Sequence, residues 1–248
     1  MTRCFLTYSL IAVFISFSVS AADFQTLALK ARRFFDQKEW ASASAMYSLM
    51  LDERPADSAI YGPAIVAAEA QADTAQAIAL LDKSIDCHIP FDTIFQGVRS
   101  ESFAIGRADI YEQFLLSAKS HAPWLTRSVD HALMRYYAFR CDGSRMVEYA
   151  TIMLRGLPDS IDFLSILASG YLLDGQTSKA IDTYRHILTI DHDNYNALLY
   201  LGNYYFSQAG TSPQAQSAAR EYLSRARAIR QAPYIDAMIH KLNTETSD

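Results

Sequence analysis

The apolar residues of this chain fall into short runs of helical spacing, and the runs recur with a fixed period. The recurrence is clearest over residues 161–194. There Leu164, Leu167, Ala168, Tyr171, Gly175, Ala180, Tyr184 and Ile187 take places 4, 7, 8, 11, 15, 20, 24 and 27 of a unit. One unit later Leu198, Leu201, Gly202 and Tyr205 return at places 4, 7, 8 and 11. A period of about 34 residues holds two antiparallel helices joined by a turn. Small residues at places 8 and 20 mark where the two helices cross, because a larger side chain would push the axes apart. The large residues at 4, 7, 11 and 24 fill the layer between neighbouring pairs.

The same pattern extends in both directions. Residues 24–57 place Leu27, Ala31, Phe34, Ala43, Tyr47 and Pro55 at 4, 8, 11, 20, 24 and 32, with a turn at Asp36–Glu39. Pro55 ends the second helix there, since proline cannot continue one. Residues 58–91 repeat it more weakly through Tyr61, Ala64, Ala68, Ala77 and Leu81; Pro63 inside the first helix predicts a kink or a later start. Residues 92–126 have no small-residue crossing pair in phase. They predict an irregular helical insertion, with a short helix around Phe91–Val98, turns at Arg99–Ser102 and Gly106–Arg107, and a longer helix over Ala108–Lys119. Residues 127–160 return to phase but carry Met134 and Met146 at places 8 and 20. From residue 195 the last unit has a longer loop, Ser207–Pro213, after which Ala218 or Ala219 takes place 20 and Tyr222 or Leu223 place 24. Ile235, Met238, Ile239 and Leu242 then predict a capping helix within 233–248.

Over residues 161–205 these positions resemble the tetratricopeptide repeat (TPR) family. The resemblance implies an all-α chain, an α-α superhelix of about four to five helix pairs with the irregular insertion at 92–126. The expected divisions are 22–91, 92–126, 127–232 and 233–248. In that family places 2, 5, 9, 12 and 13 of the first helices face a concave groove. By resemblance the groove collects Gln25, Arg32, Phe35, His131, Arg135, Asp162, Ser169, Asn196, Asn203 and Phe206. Of these, Arg32, Phe35, His131, Arg135, Asn196, Asn203 and Phe206 are the candidate partner-binding residues. Arg32, Arg135 and Asn203 share place 9: arginine grips carboxylates and asparagine holds peptide backbone. Some TPR proteins clamp a C-terminal carboxylate with lysine at place 5. Here that place holds Ala28, His131, Ser165 and Leu199, a departure that argues against chaperone-tail binding.

The first residues change the picture of where the chain works. Arg3, the apolar stretch Phe5–Val19 and the small residues Val19-Ser20-Ala21 have the layout of a signal segment over 1–21, cleaved after Ala21 or Ala22. Export to the periplasm or the cell exterior is the expectation, with an uncleaved anchor as the alternative. No other stretch is long and apolar enough to span a bilayer. Loss of residues 1–21 leaves 21 Lys/Arg against 27 Asp/Glu, a net −6. That balance argues against nucleic acid, whose phosphates need a basic surface. Cys87 and Cys141 remain, and an oxidising compartment permits a disulfide between them without requiring one.

Catalytic spacings are missing: no nucleophile elbow, His-Glu-x-x-His, Cys-x-x-Cys or P-loop is present. Cys87-His88 and the cluster His186, Asp191, His192, Asp193 lack metal-ligand spacing, so neither metal nor cofactor is expected. Most aromatics sit at core places; Phe35, Tyr200 and Phe206 are those expected outside it. Two function classes follow. One is a non-enzymatic scaffold that binds a protein or peptide in the groove. The other is an accessory protein that binds or processes a cell-envelope ligand such as glycan, with 92–126 forming the site.

Overall fold

The computed structural model describes residues 21–244, which form thirteen α-helices and no strand. They are α1 (Ala21–Asp36), α2 (Trp40–Glu53), α3 (Ser58–Glu69), α4 (Thr74–Asp86), α5 (Phe91–Ala104) and α6 (Ala108–His121). After a 3-10 turn at Pro123–Leu125 come α7 (Thr126–Arg140), α8 (Gly143–Leu154), α9 (Ile161–Leu173), α10 (Thr177–Ile190), α11 (Tyr195–Gln208), α12 (Pro213–Ile229) and α13 (Pro233–Thr244). The signal segment expected over 1–21 lies outside the described residues except for Ala21, where α1 begins. None of the described helices is long and apolar enough to cross a membrane.

Helix starts are written locally. Asp57, Asp73, Asp142, Ser160, Asn194 and Ser212 each accept a hydrogen bond from a first-turn amide of the helix that follows. Such caps satisfy donors that have no partner inside the helix, worth about 1 kcal/mol each. Pro63 neither ends α3 nor moves its start, which Asp57 caps at Ser58. Cys141, in the left-handed region at φ 53°, closes α7 before α8 begins.

Helices pack on their sequence neighbours, α1 on α2, α3 on α4, α7 on α8, α9 on α10 and α11 on α12, and successive pairs stack through α2 on α3, α8 on α9 and α10 on α11. This is an all-α, TPR-like solenoid of antiparallel helix pairs. The crossing positions behave as the spacing requires: Ala31, Ala43, Ala77, Ala168, Ala180 and Ala219 are all fully buried. A Cβ on Gly202 would lie 2.7 Å from Leu223 Cδ2, which settles Leu223 at place 24 of the last unit. In residues 127–160, where Met134 and Met146 replace the small pair, the close approach moves to the next interface. There Gly143 of α8 meets Gly170 of α9, and a Cβ on Gly170 would sit 3.0 Å from the Gly143 oxygen.

The chain divides into two units, residues 1–117 and 118–248, with the boundary inside α6. In the first, residues 92–117 are more regular than expected. Arg99–Ser102 lie within the helix α5, not in a turn. The rings of Phe95 and Phe114 and of Phe103 and Tyr111 join α5 to α6. The irregular piece of 92–126 is its end, where the 3-10 turn runs into α7. In α3 every residue from Ile60 to Glu69 is buried, as expected of a helix apolar on all sides. The backbones of Gly62 on α3 and Gly97 on α5 are so close that a Cβ on Gly62 would lie 2.8 Å from the Gly97 carbonyl carbon.

In the second unit Asp130, nearly buried, accepts a 2.5 Å hydrogen bond from Lys119 at the end of α6. The capping helix forms as expected: Ile235, Ile239 and Leu242 of α13 join Leu198, Ala219, Leu223 and Ala226 in one buried cluster.

Candidate functional site

The expected groove residues separate into two groups. In the first unit they are occupied. Arg32 donates to Glu101 Oε2 of α5 and contacts Asp36 Oδ1, both at 2.9 Å, and its guanidinium lies 5.1 Å from the Phe35 ring. Phe35 itself is fully buried, edge-on to Trp40 at 5.3 Å and Tyr47 at 6.2 Å. It is core, not groove wall: the aromatic side chains of α2 close over place 12 of the first pair. Burial pushes the Tyr47 phenol up to about 12.

The face of α3 that carries places 5, 9 and 12 (Gly62, Val66 and Glu69) is buried. Glu69 ends it: Thr74 Oγ1 donates to its Oε2 at 3.2 Å, while Oε1 is buried with no hydrogen-bond partner. Burial raises the Glu69 carboxyl above its ordinary value, partly offset by the Thr74 hydrogen bond. The aromatic and aliphatic residues of α5 and α6 (Ile94, Phe95, Val98, Ile110, Phe114 and Leu115) are core.

The second unit differs. Here α9 packs beside α7 through the His131 and Phe163 rings, 5.8 Å apart, and shares a buried cluster with α11 through Leu164 and Ala197. Between these helices the surface of α9 stays open. An open apolar depression of about 490 Å³ is lined by Ser165, Ile166, Ser169, Leu172 and Leu173 of α9, Ala138 and Cys141 at the end of α7, and Met146 of α8. Leu173 is 53 % exposed, and Phe139, next to Ala138, is 68 % exposed. Ser165, Ser169, Leu172 and Leu173 hold places 5, 9, 12 and 13 of their unit.

The hydroxyl of Ser169 is spoken for: it donates to the Ser165 carbonyl at 2.8 Å and shares a hydrogen bond with Tyr184. Tyr184 stacks on Tyr200 at 4.3 Å, and burial raises both phenols. Tyr200 is thus half-buried against the preceding pair rather than presented as a platform. Arg135 is exposed and makes no ion pair or hydrogen bond with any described residue, and the same holds for Asn196 and Asn203 on α11. Phe206 is half-buried beneath α13, with Lys241 Nζ 5.8 Å from its ring. The capping helix therefore covers that expected groove residue.

The apolar lining residues differ from the polar groove places expected from the register. Ala138 and Leu172 at place 12 and Leu173 at place 13 satisfied the same register and were legible from it. Nothing in the site resembles reaction machinery. Cys141 and Cys87 are both free thiols, and no cluster of three metal-ligating side chains occurs among the described residues. His186 lies 3.7 Å from Asp159, and the His192 carbonyl accepts from Arg225, so the two histidines serve separate contacts.

What the fold and this face define is a helix-pair solenoid with an open apolar depression on α9. No family model and no curated protein matches the chain. Among solved structures it is similar to a candidate protein-binding protein from Bacteroides ovatus, at 15 % identity and a TM-score of 0.49, covering 76 % of this chain and 97 % of that one. It is also similar to the C-terminal part of a TPR repeat-containing protein from Cytophaga hutchinsonii, at 13 % identity and 0.48, covering 83 % and 78 %. A third likeness is the TPR2AB domain of yeast Sti1, solved as a complex with pHSP90, at 14 % identity and 0.38, covering 90 % and 100 %. All three scores are below 0.5, so the fold assignment rests on the helix pairs themselves.

Proposed function

We propose that the protein is an exported, non-enzymatic interaction scaffold, and that its partner, a protein or peptide, docks on the open face of α9. One observation carries the reading. The helix α9 is apolar on nearly every side, yet it leaves Ile166, Leu172 and Leu173 accessible in a depression that α7 helps to line through Ala138, one turn along that helix from the exposed, unpaired Arg135. Exposed apolar surface rimmed by polar groups marks interaction sites rather than ordinary solvated surface. Export follows from the layout of residues 1–21 and places the partner in the periplasm or outside the cell.

A photo-activatable residue at Arg135 and, separately, at Asn203 tests the docking face in the native cell, with the exposed α8 position Thr151 as control. A discrete protein adduct from the first two positions alone is the expected outcome; adducts shared with Thr151, or none, would remove this face as the site. N-terminal sequencing of the protein from the exported fraction is expected to begin at Ala22 or Asp23, and a chain still starting at Met1 would sink the cleavage reading.

A further inference from the structure

The molecule already contains an occupied version of the open face. In the first unit Gly62 and Val66 of α3 hold places 5 and 9, and α5 lies against them. Gly97 of α5 sits on Gly62; one helical turn later Glu101 takes the guanidinium of Arg32 at 2.9 Å. Beside that line Ile94 and Val98 of α5 are fully buried. In the second unit Ser165 and Ser169 hold the same places on α9, and Arg135 holds place 9 on α7 as Arg32 does on α1. The helix α11 follows α9 as α5 follows α3, but it does not pack along α9 as α5 does along α3, and it carries Tyr204 at the place of Glu101. What is lacking on this face is the carboxylate for Arg135.

We infer that the partner presents an amphipathic helix to α9, with a small residue opposite Ser165, a carboxylate four residues later for Arg135, and aliphatic side chains in the depression. This rests on the docking reading above and adds the chemistry of the occupant. The arrangement follows from helix geometry, because residues i and i+4 share one face about a turn apart. Serine at places 5 and 9 holds an incoming helix further off than Gly62 allows α5. The space left is the depression of about 490 Å³, which side chains of leucine size fill. An extended peptide does not meet this pattern: its alternate side chains point to opposite faces.

The probe is a synthetic peptide with the sequence of residues 91–104, its helix held by a lactam bridge between the exposed positions 96 and 100. The bridge is needed because an isolated helix of this length is marginal in water. Binding to the full-length exported protein is read by fluorescence anisotropy. We expect saturable binding that weakens at least tenfold when the peptide carries E101Q, equally when the protein carries Arg135→Gln, and no further when both are changed. Ser165→Trp in the protein, which fills the depression, is expected to abolish binding. Equal binding of an unbridged peptide with proline at position 98 overturns the helix, as does binding indifferent to Arg135. Binding that survives Ser165→Trp also overturns it, since the peptide would then sit elsewhere, for example in place of α5 in the first unit. No binding of the bridged peptide, together with a cellular adduct from Arg135, would retire this inference and leave the docking face standing. Failure of both would retire both.

Discussion

The helices α3 and α9 are the instructive pair. Both are the first helix of a repeat unit, and both are apolar on nearly all sides. By sequence α9 is the more apolar of the two, yet α3 is buried over ten consecutive residues and α9 is not. The difference lies outside the helices. In the first unit α5 crosses on the backbone of α3 through Gly97, and Arg32 and Glu101 tie α1 to α5. In the second unit places 5, 9, 12 and 13 of α9 border an open depression shared with Ala138, Cys141 and Met146. A helix's own hydropathy therefore says how much surface it would gain by covering, while neighbours decide whether the covering happens within the chain. An apolar helix left half-covered is a stronger pointer to a partner than any of its polar residues.

Breaking the glycine contact should produce the largest effect. Gly62→Leu drives a side chain into the Gly97 backbone, where nothing flexible can yield. A loss of about 3 kcal/mol is expected, at the upper end of overpacking costs, read as a drop in the urea midpoint. A midpoint within experimental error of the wild type would mean that α5 does not sit on α3 as described.

The crossing positions were open to reading because steric demand leaves a residue type behind. Ala31, Ala43, Ala77, Ala168 and Ala180 recur at fixed spacing and are all fully buried. The glycine pairs were not legible in this way. Gly62 with Gly97, and Gly143 with Gly170, join helices of successive pairs, and they obey no single period. Residues 92–117 carry no small crossing pair in phase, yet α5 and α6 are continuous helices, and the irregular piece of 92–126 is the 3-10 turn at its end. Phe35 departs from the expected groove place: place 12 faces a groove only if the groove is open, and in the first pair Trp40 and Tyr47 close over it. The open face of α9 was half legible: Arg135 and Asn203 are exposed, while the apolar floor is made by Ala138, Leu172 and Leu173 at places 12 and 13 of the same register.

Glu69 sharpens the comparison at the next level of effect. It holds place 12 of α3, where α9 has Leu172, so burial has enclosed a carboxylate on one helix and left a leucine accessible on the other. Its raised carboxyl means that the folded state holds the proton more tightly than the unfolded chain, whose ordinary value is near 4.5. Stability from this group is then fully present below that value and is lost as pH climbs from there through the folded value. Glu69→Gln removes the charge while keeping the shape. It is expected to stabilise the protein at pH 7 by about 1 kcal/mol and to flatten the fall in stability above pH ~4.5. Identical pH profiles for variant and wild type would show that the carboxylate is well solvated.

The two place-9 arginines give a smaller contrast. Arg32→Ala breaks a half-exposed ion pair with Glu101 and is expected to cost about 0.5 kcal/mol, diminishing in high salt. Arg135→Ala, with no partner to lose, should leave the melt unmoved. Equal costs for the two would mean that Arg135 has an internal partner in solution, which would weaken its assignment to an incoming carboxylate.

The smallest stability effect is expected at Ser165, the register equivalent of Gly62. Ser165→Leu adds a larger side chain at a place bordering the open depression instead of a neighbouring backbone. The added leucine has space to occupy, so thermal stability should stay within about 0.5 kcal/mol of the wild type. The same substitution narrows the depression and is expected to lose the cellular adduct formed from Arg135. The pairing with Gly62→Leu makes the measurement decisive: one place in the repeat, the same substituted residue, and opposite consequences for folding and docking. If Ser165→Leu unfolds the second unit as Gly62→Leu unfolds the first, then the face of α9 is closed in solution, and α3 and α9 differ in nothing that a partner can use.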